Sequence, residues 1–147
     1  MRQFSTLSRL LAPLALALAA QSAAAVCSVG SPGLNFGAYD PRSGAPLDSA
    51  GTITVSGCVA GYTITLGSGS SASYVLRKMT AGSYHMNYNL YIDAARNSVW
   101  GDGTGGTSTV SSTGAGPFNH TVYGRIEAGQ NIGAGSYTDL LVVTVIF

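Results

Sequence analysis

Clusters rich in glycine, proline and serine cut this chain into short pieces. They are "GSPG" (30–33), "DPRSGAP" (40–46), "GSGSSAS" (67–73), "GDGTGG" (101–106), "SSTGAGP" (111–117) and "GAGS" (133–136). Glycine permits positive φ and proline stops ladder pairing, so each cluster is a turn with a mechanism. No segment between them carries apolar residues at helical spacing over ten positions. The recurring period is two. In "GTITVSGCV" (51–59) Ile53 and Val55, with Gly57, share one face, and Thr52, Thr54 and Ser56 share the other. "YTITL" (62–66) repeats the pattern with Tyr62, Ile64 and Leu66. "SYVLRKM" (73–79), "YNLYID" (88–93), "TSTV" (107–110) and "HTVYGRI" (120–126) are further strands, rich in β-branched and aromatic residues. Short strands with turns at this spacing predict an all-β chain, a sandwich or a small barrel.

"YTDLLVVTVIF" (137–147) is the most apolar of these runs. Leu141, Val143, Val145 and Phe147 alternate onto one face and are expected to point into the core. Leu140, Val142 and Ile146 make the opposite face apolar too. A strand buried on both faces belongs inside a sheet, with a neighbour on each side. Left at an edge, it would be an aggregation hazard.

The N-terminus reads differently. Arg2 and Arg9 precede the apolar stretch "LLAPLALALAA" (10–20), and Ala23-Ala24-Ala25 offers a small-residue cleavage site. This is the pattern of a secretory signal peptide over residues 1–25, leaving one domain at 26–147. A membrane anchor would need about 20 apolar residues, so no membrane span is expected in the mature chain. Without Arg2 and Arg9, the basic residues Arg42, Arg77, Lys78, Arg96 and Arg125 face Asp40, Asp48, Asp93, Asp102, Glu127 and Asp139. No basic patch results, which argues against nucleic acid as a partner. Export exposes the only two cysteines, Cys27 and Cys58, to an oxidising compartment, and an even count invites one disulfide. In the chain-entropy model that cross-link contributes roughly 3–4 kcal/mol.

Catalytic and cofactor motifs are weak. Gly101, Gly103 and Gly106 satisfy G-x-G-x-x-G, but "TSTVSSTG" follows where a dinucleotide site needs a helix. Asp102 alone lacks the alternating oxygens of a calcium loop. His85 and His120 are not at ligand spacing to the cysteines, and no G-x-S-x-G elbow accompanies the serines. The expectation is therefore no enzyme, no cofactor and no metal. Trp100, just before a glycine turn, reads as an anchor capping one end of the fold.

A set of stretches resembles the spore coat protein U domain family, which is related to pilins of the archaic chaperone–usher class. They are Cys27 before "LNFGAYDP" (34–41), then "ITVSGC" (53–58), "RKM" (77–79), "YNLYIDAARNSVWGDGTGG" (88–106), "VYGRI" (122–126) and "GSYTDLLVVTVIF" (135–147). The resemblance implies an immunoglobulin-like antiparallel β-sandwich with a Cys27–Cys58 disulfide and without its last strand. It implies a secreted structural subunit, passing through the periplasm to a surface fibre (a fimbria that supports adhesion and biofilm) or to a spore coat. The implied partners are a periplasmic chaperone, an outer-membrane usher and other subunits. The chaperone first lends a β-strand, and another subunit's N-terminal extension then replaces it as the fibre is assembled through the usher, with Leu141, Val143, Val145 and Phe147 lining the acceptor groove.

One end departs from the pilin pattern. Cleavage after Ala25 leaves only Val26 before Cys27, and cleavage after Ala19 leaves "AQSAAAV" (20–26), whose alanines fill few pockets. The expected subunit accepts a strand but donates one poorly, which suits a tip-like or terminating position. Two other readings compete. A small outer-membrane β-barrel would explain terminal Phe147 with apolar residues at alternate positions before it, although its strands need about 9–11 residues. A secreted carbohydrate-binding sandwich would use loop aromatics such as Trp100 or Tyr123.

Overall fold

The computed structural model describes residues 27–58, 60–114 and 116–147. The expected leader, Val26 and the whole "AQSAAAV" segment lie outside them. The described chain is all-β, with eight strands: β1 (Ser28–Gly30), β2 (Leu47–Ser56), β3 (Tyr62–Leu66), β4 (Arg77–Ala81), β5 (Tyr84–Tyr91), β6 (Val110–Ser112), β7 (Phe118–Ile126) and β8 (Val143–Ile146). A single 3-10 turn, Gly69–Ser71, follows β3. Among the described residues no helix is long and apolar enough to cross a membrane.

The strands form two antiparallel sheets, a large one ordered β1-β2-β7-β5-β4 and a small one ordered β6-β3-β8. The strands thus lie in two separate sheets, some only three residues long, which corrects the barrel reading for these residues. The backbone of the large sheet is the β2–β7 pair, in register from Leu47↔Ile126 to Val55↔Phe118. Directly opposed residues share a face, so the pair turns Ile53, Val55, Val122 and Ile126 inward together, all buried. β5 adds Met86, Tyr88 and Leu90. From the small sheet come Tyr62, Ile64 and Leu66, all at most 3% exposed, against which Val143 and Val145 pack. Cys27 and Cys58 form the disulfide, with Cα atoms 4.4 Å apart. It closes beside β1, whose Ser28 lies opposite Ser56.

Several boundaries differ from the expected ones. "YTITL" folds as read, because Gly61 and Gly67 bound it and its alternation is strict. "SYVLRKM" does not form a strand until Arg77. Before that the Tyr74 and Val75 carbonyls turn to accept the Asn89 amide (2.9 and 3.1 Å), which leaves Val75 77% exposed. "TSTV" pairs only from Val110, since Ser108 bridges to Trp100 instead. The largest difference is the C-terminal run. Only Val143–Ile146 is strand, and it lies at the edge of the small sheet with β3 as its single partner. Further back, Thr138 bridges to Thr80 at the edge of the large sheet. One apolar run therefore serves two sheets in turn, and its expected central position is overturned.

Candidate strand-acceptor groove

The segment before β2 forms no strand, yet it is held firmly against the large sheet. Leu34 and Phe36 lie over Gly51 and Gly124 on the inner face of β2 and β7. A Cβ on Gly51 would come within 3.0 Å of the Gly33 carbonyl oxygen, and one on Gly124 within 2.7 Å of the Phe36 ring. Only glycine admits the segment this closely. Phe36 also meets Tyr88 edge to face, with ring centroids 5.9 Å apart. The Tyr39 hydroxyl donates to the Glu127 carbonyl (3.1 Å) and accepts from the Gln130 amide (2.8 Å).

Opposite this segment runs the chain from Ile132 to Val143. Between the two opens a cavity of about 1150 Å³. Its floor is the inner face of the large sheet, including Ile53, Val122, Leu90, Tyr88, Met86 and Met79, and Leu141 and Val143 border it from the far wall. Pockets for small ligands occupy roughly 300–1,000 Å³; this one is larger, mainly apolar, and bounded by main chain on both sides. β8 is the last strand of its sheet, so among the described residues its second edge has no partner strand.

The expected groove residues divide. Leu141, Val143 and Val145 are half-buried against the core, while Leu140 and Val142 are 89% and 67% exposed. Phe147 departs from its expected inward position, being 69% exposed. The last paired residues are Thr63 and Ile146, so no ladder holds Phe147 over the core. Of the four expected groove residues, Leu141 and Val143 line the cavity and Val145 and Phe147 do not; Leu140 borders it as well.

Trp100 is fully buried. Its backbone N–H donates to Leu90 (2.9 Å) and its indole N–H to the Ile64 carbonyl (3.1 Å), so it bridges the two sheets. This placement corrects its use as a ligand-stacking aromatic. Next to it the sequence concealed Arg77, a cation with no exposed surface. The guanidinium donates to the Trp100 carbonyl (2.7 Å), the Gly67 carbonyl (3.1 and 2.8 Å) and Asn89 Oδ1 (2.6 Å). Burial draws its pKa down, while Tyr88, Tyr74 and Asp139 oppose the shift. Its only sequence signal was its parity with Met79, two residues on in β4.

The remaining candidates are held by ordinary partners. His120 meets the Tyr62 hydroxyl at 2.8 Å, and burial lowers its pKa. His85 lies on β5 and is exposed. Asp102 accepts from the backbone and hydroxyl of Thr104 within its own turn. Among the described residues no three His, Cys, Asp or Glu side chains converge as metal ligands would. On the outer face Asp48 pairs with Arg125 (2.8 Å) and Arg96 (3.1 Å).

Comparison with known proteins agrees with this architecture. Residues 14–144 match the Spore Coat Protein U domain. Protein U of Myxococcus xanthus is 36% identical over 140 residues, which span 82% of this chain and 77% of that protein. A solved neighbour is the CsuC–CsuE chaperone–tip adhesion subunit pre-assembly complex from archaic chaperone–usher Csu pili of Acinetobacter baumannii. The TM-score is 0.57 at 23% identity, covering 83% of this chain and 40% of that one, a likeness of fold. The sequence match over most of the chain, carried on this sandwich and disulfide, places the protein: it belongs to the Spore Coat Protein U domain family.

Proposed function

We propose that this protein is a secreted structural subunit of a surface fibre or spore coat, and that its groove accepts a β-strand from another protein. The observation that carries the reading is the edge of β8 left unpaired among the described residues, next to an open, apolar cavity. Main-chain N–H and C=O groups along such an edge supply affinity for an added strand, and alternate apolar side chains supply fit. Each half of the requirement is present: a ladder edge, and a floor of Met79, Met86 and Tyr88 able to take side chains from above.

In this reading a periplasmic chaperone supplies the strand during transit. An outer-membrane usher then exchanges it for a strand of another subunit, as in archaic chaperone–usher assembly. Residues 1–25 act as the export signal, 26–147 form the assembled domain, and no catalytic role is assigned. The small side chains of residues 20–26 favour a tip-like or terminating place. Family membership and the fold shared with a chaperone–subunit complex support the scheme.

The test is expression of the full chain with and without its cognate chaperone. Alone, the exported protein should aggregate or be degraded, and with the chaperone it should accumulate as a soluble one-to-one complex. A stable, cooperative, soluble monomer formed without any partner would overturn the reading.

A further inference from the structure

Asp139 lies where the C-terminal segment leaves one sheet for the other. Just before it, Thr138 and Thr80 exchange two backbone hydrogen bonds, of 2.9 and 3.1 Å, at the edge of the large sheet. Just after it, the Gly67 amide donates to the Val142 carbonyl (2.9 Å) beside the small sheet. Between these two attachments the Asp139 carboxylate accepts three hydrogen bonds. Tyr88 donates its hydroxyl to Oδ2 at 2.8 Å. The amides of Ser70 and Leu140 both donate to Oδ1 at 3.0 Å. Tyr88 belongs to the floor of the groove and Asp139 to its wall, so this polar knot ties wall to floor inside an otherwise apolar lining. Burial and the neighbouring carboxylate both push the Tyr88 phenol upward, which keeps it a donor at physiological pH. The 3-10 turn is shaped to the same end. Gly69 has a φ of +67°, and a Cβ there would collide with the Asp139 carboxylate.

We propose that Asp139, through Tyr88 and Ser70, is a positioning residue that sets the spacing between wall and floor, and thereby whether a β-strand can seat in the groove. This rests on the strand-acceptor reading given above. A strand added to a sheet must lie about 4.7–4.9 Å from its neighbour, and its hydrogen bonds weaken steeply as donor and acceptor separate. The wall has few other fixings. The Thr138–Thr80 pair is an isolated bridge, and β8 pairs on one side only. Loss of the knot therefore affects strand capture before it affects the rest of the sandwich.

The experiment starts from the soluble one-to-one complex of each protein with its cognate chaperone. It measures exchange of the chaperone for synthetic peptides of about ten residues, alternating large apolar and polar side chains, in the wild type and in D139A, D139N and Y88F. Ile126→Val, at a buried position away from the groove lining, serves as the stability control. The wild type should capture at least one peptide. D139A should weaken the same peptide about tenfold or more, Y88F less, and the double variant no more than D139A alone. D139N should recover most of the affinity. Its remaining oxygen can accept from Ser70 and Leu140, and its amide can donate to the Tyr88 oxygen. Ile126→Val should lower the denaturation midpoint without changing affinity. Wild-type affinity in D139A, or a loss in Ile126→Val that tracks stability equally, would overturn the positioning role. Failure of every peptide to bind the wild type would instead overturn the acceptor reading, and the inference with it.

Discussion

Around Trp100 both sheets are joined, and among the described residues no buried side-chain nitrogen or oxygen lacks a hydrogen-bond partner. The indole reaches the Ile64 carbonyl, and Arg77 saturates the carbonyls of Gly67 and Trp100 together with Asn89. Between residues 33–39 and 132–143, by contrast, the same core stands open. Apolar side chains there line a cavity of about 1150 Å³, bordered by a strand edge with which no other described strand pairs. The first region is finished by residues within the chain. The second has the form of an interior that a further strand would finish. A buried cation is tolerated in the first region because four acceptor contacts replace its water, whereas a cation in the second would face unpaired lining.

A charge in the open region should therefore cost more in function than in folding. Val143→Asp, on the cavity wall, should abolish assembly at the cell surface while leaving export intact, as read by comparing surface and periplasmic fractions. Val145→Asp, packed against the core beside Ile64, should do the same with an added loss of stability. Unimpaired assembly in both variants would show that this strand is not the wall of an acceptor site. The closed region should respond the other way. Trp100→Ala removes a fully buried indole and should cost about 3–5 kcal/mol of stability, measured by denaturant titration of the protein with its groove filled by a captured strand. A change well under 1 kcal/mol would mean that the sheets are joined by something other than this residue.

A smaller effect should appear beside Tyr62. Burial lowers the His120 pKa from its ordinary 6.5, so the folded state favours the neutral ring. The related stability is fully present above pH 6.5 and is lost as pH falls through the lower folded-state value. His120→Gln should flatten this part of the profile in denaturant titrations on either side of that pH. An unchanged acid slope would place its origin in another group.

The sequence made the closed region's strands easier to read than its chemistry. Strict alternation between flanking glycines defines β3, because both the pattern and its limits are local. Arg77 was concealed because a charge ordinarily marks a solvated face, and its acceptors come from Gly67, Asn89 and Trp100. The open region was legible in its alternation and obscure in its pairing. Leu141, Val143 and Val145 point as the period requires. Nothing local reveals that Thr138 belongs to one sheet and Val143 to the other. The segment 33–39 was invisible as a wall. It forms no strand, and its place is dictated by Gly51 and Gly124, which are distant in the chain.

The pairing of β2 with β7 also has a consequence in time. Asp48 and Arg125, which face each other across it, are 77 residues apart in the chain. Closing so long a loop is slow, and contacts of this separation retard folding. In a polypeptide that emerges N-terminus first, β2 must wait through most of the domain for its mate. The strand that borders the groove emerges later still. During that interval β2 shows the edge meant for β7 bare to every other copy of the chain, a hazard that grows with concentration. A partner that covered the bare edge would thus act as much on the schedule of folding as on its final state.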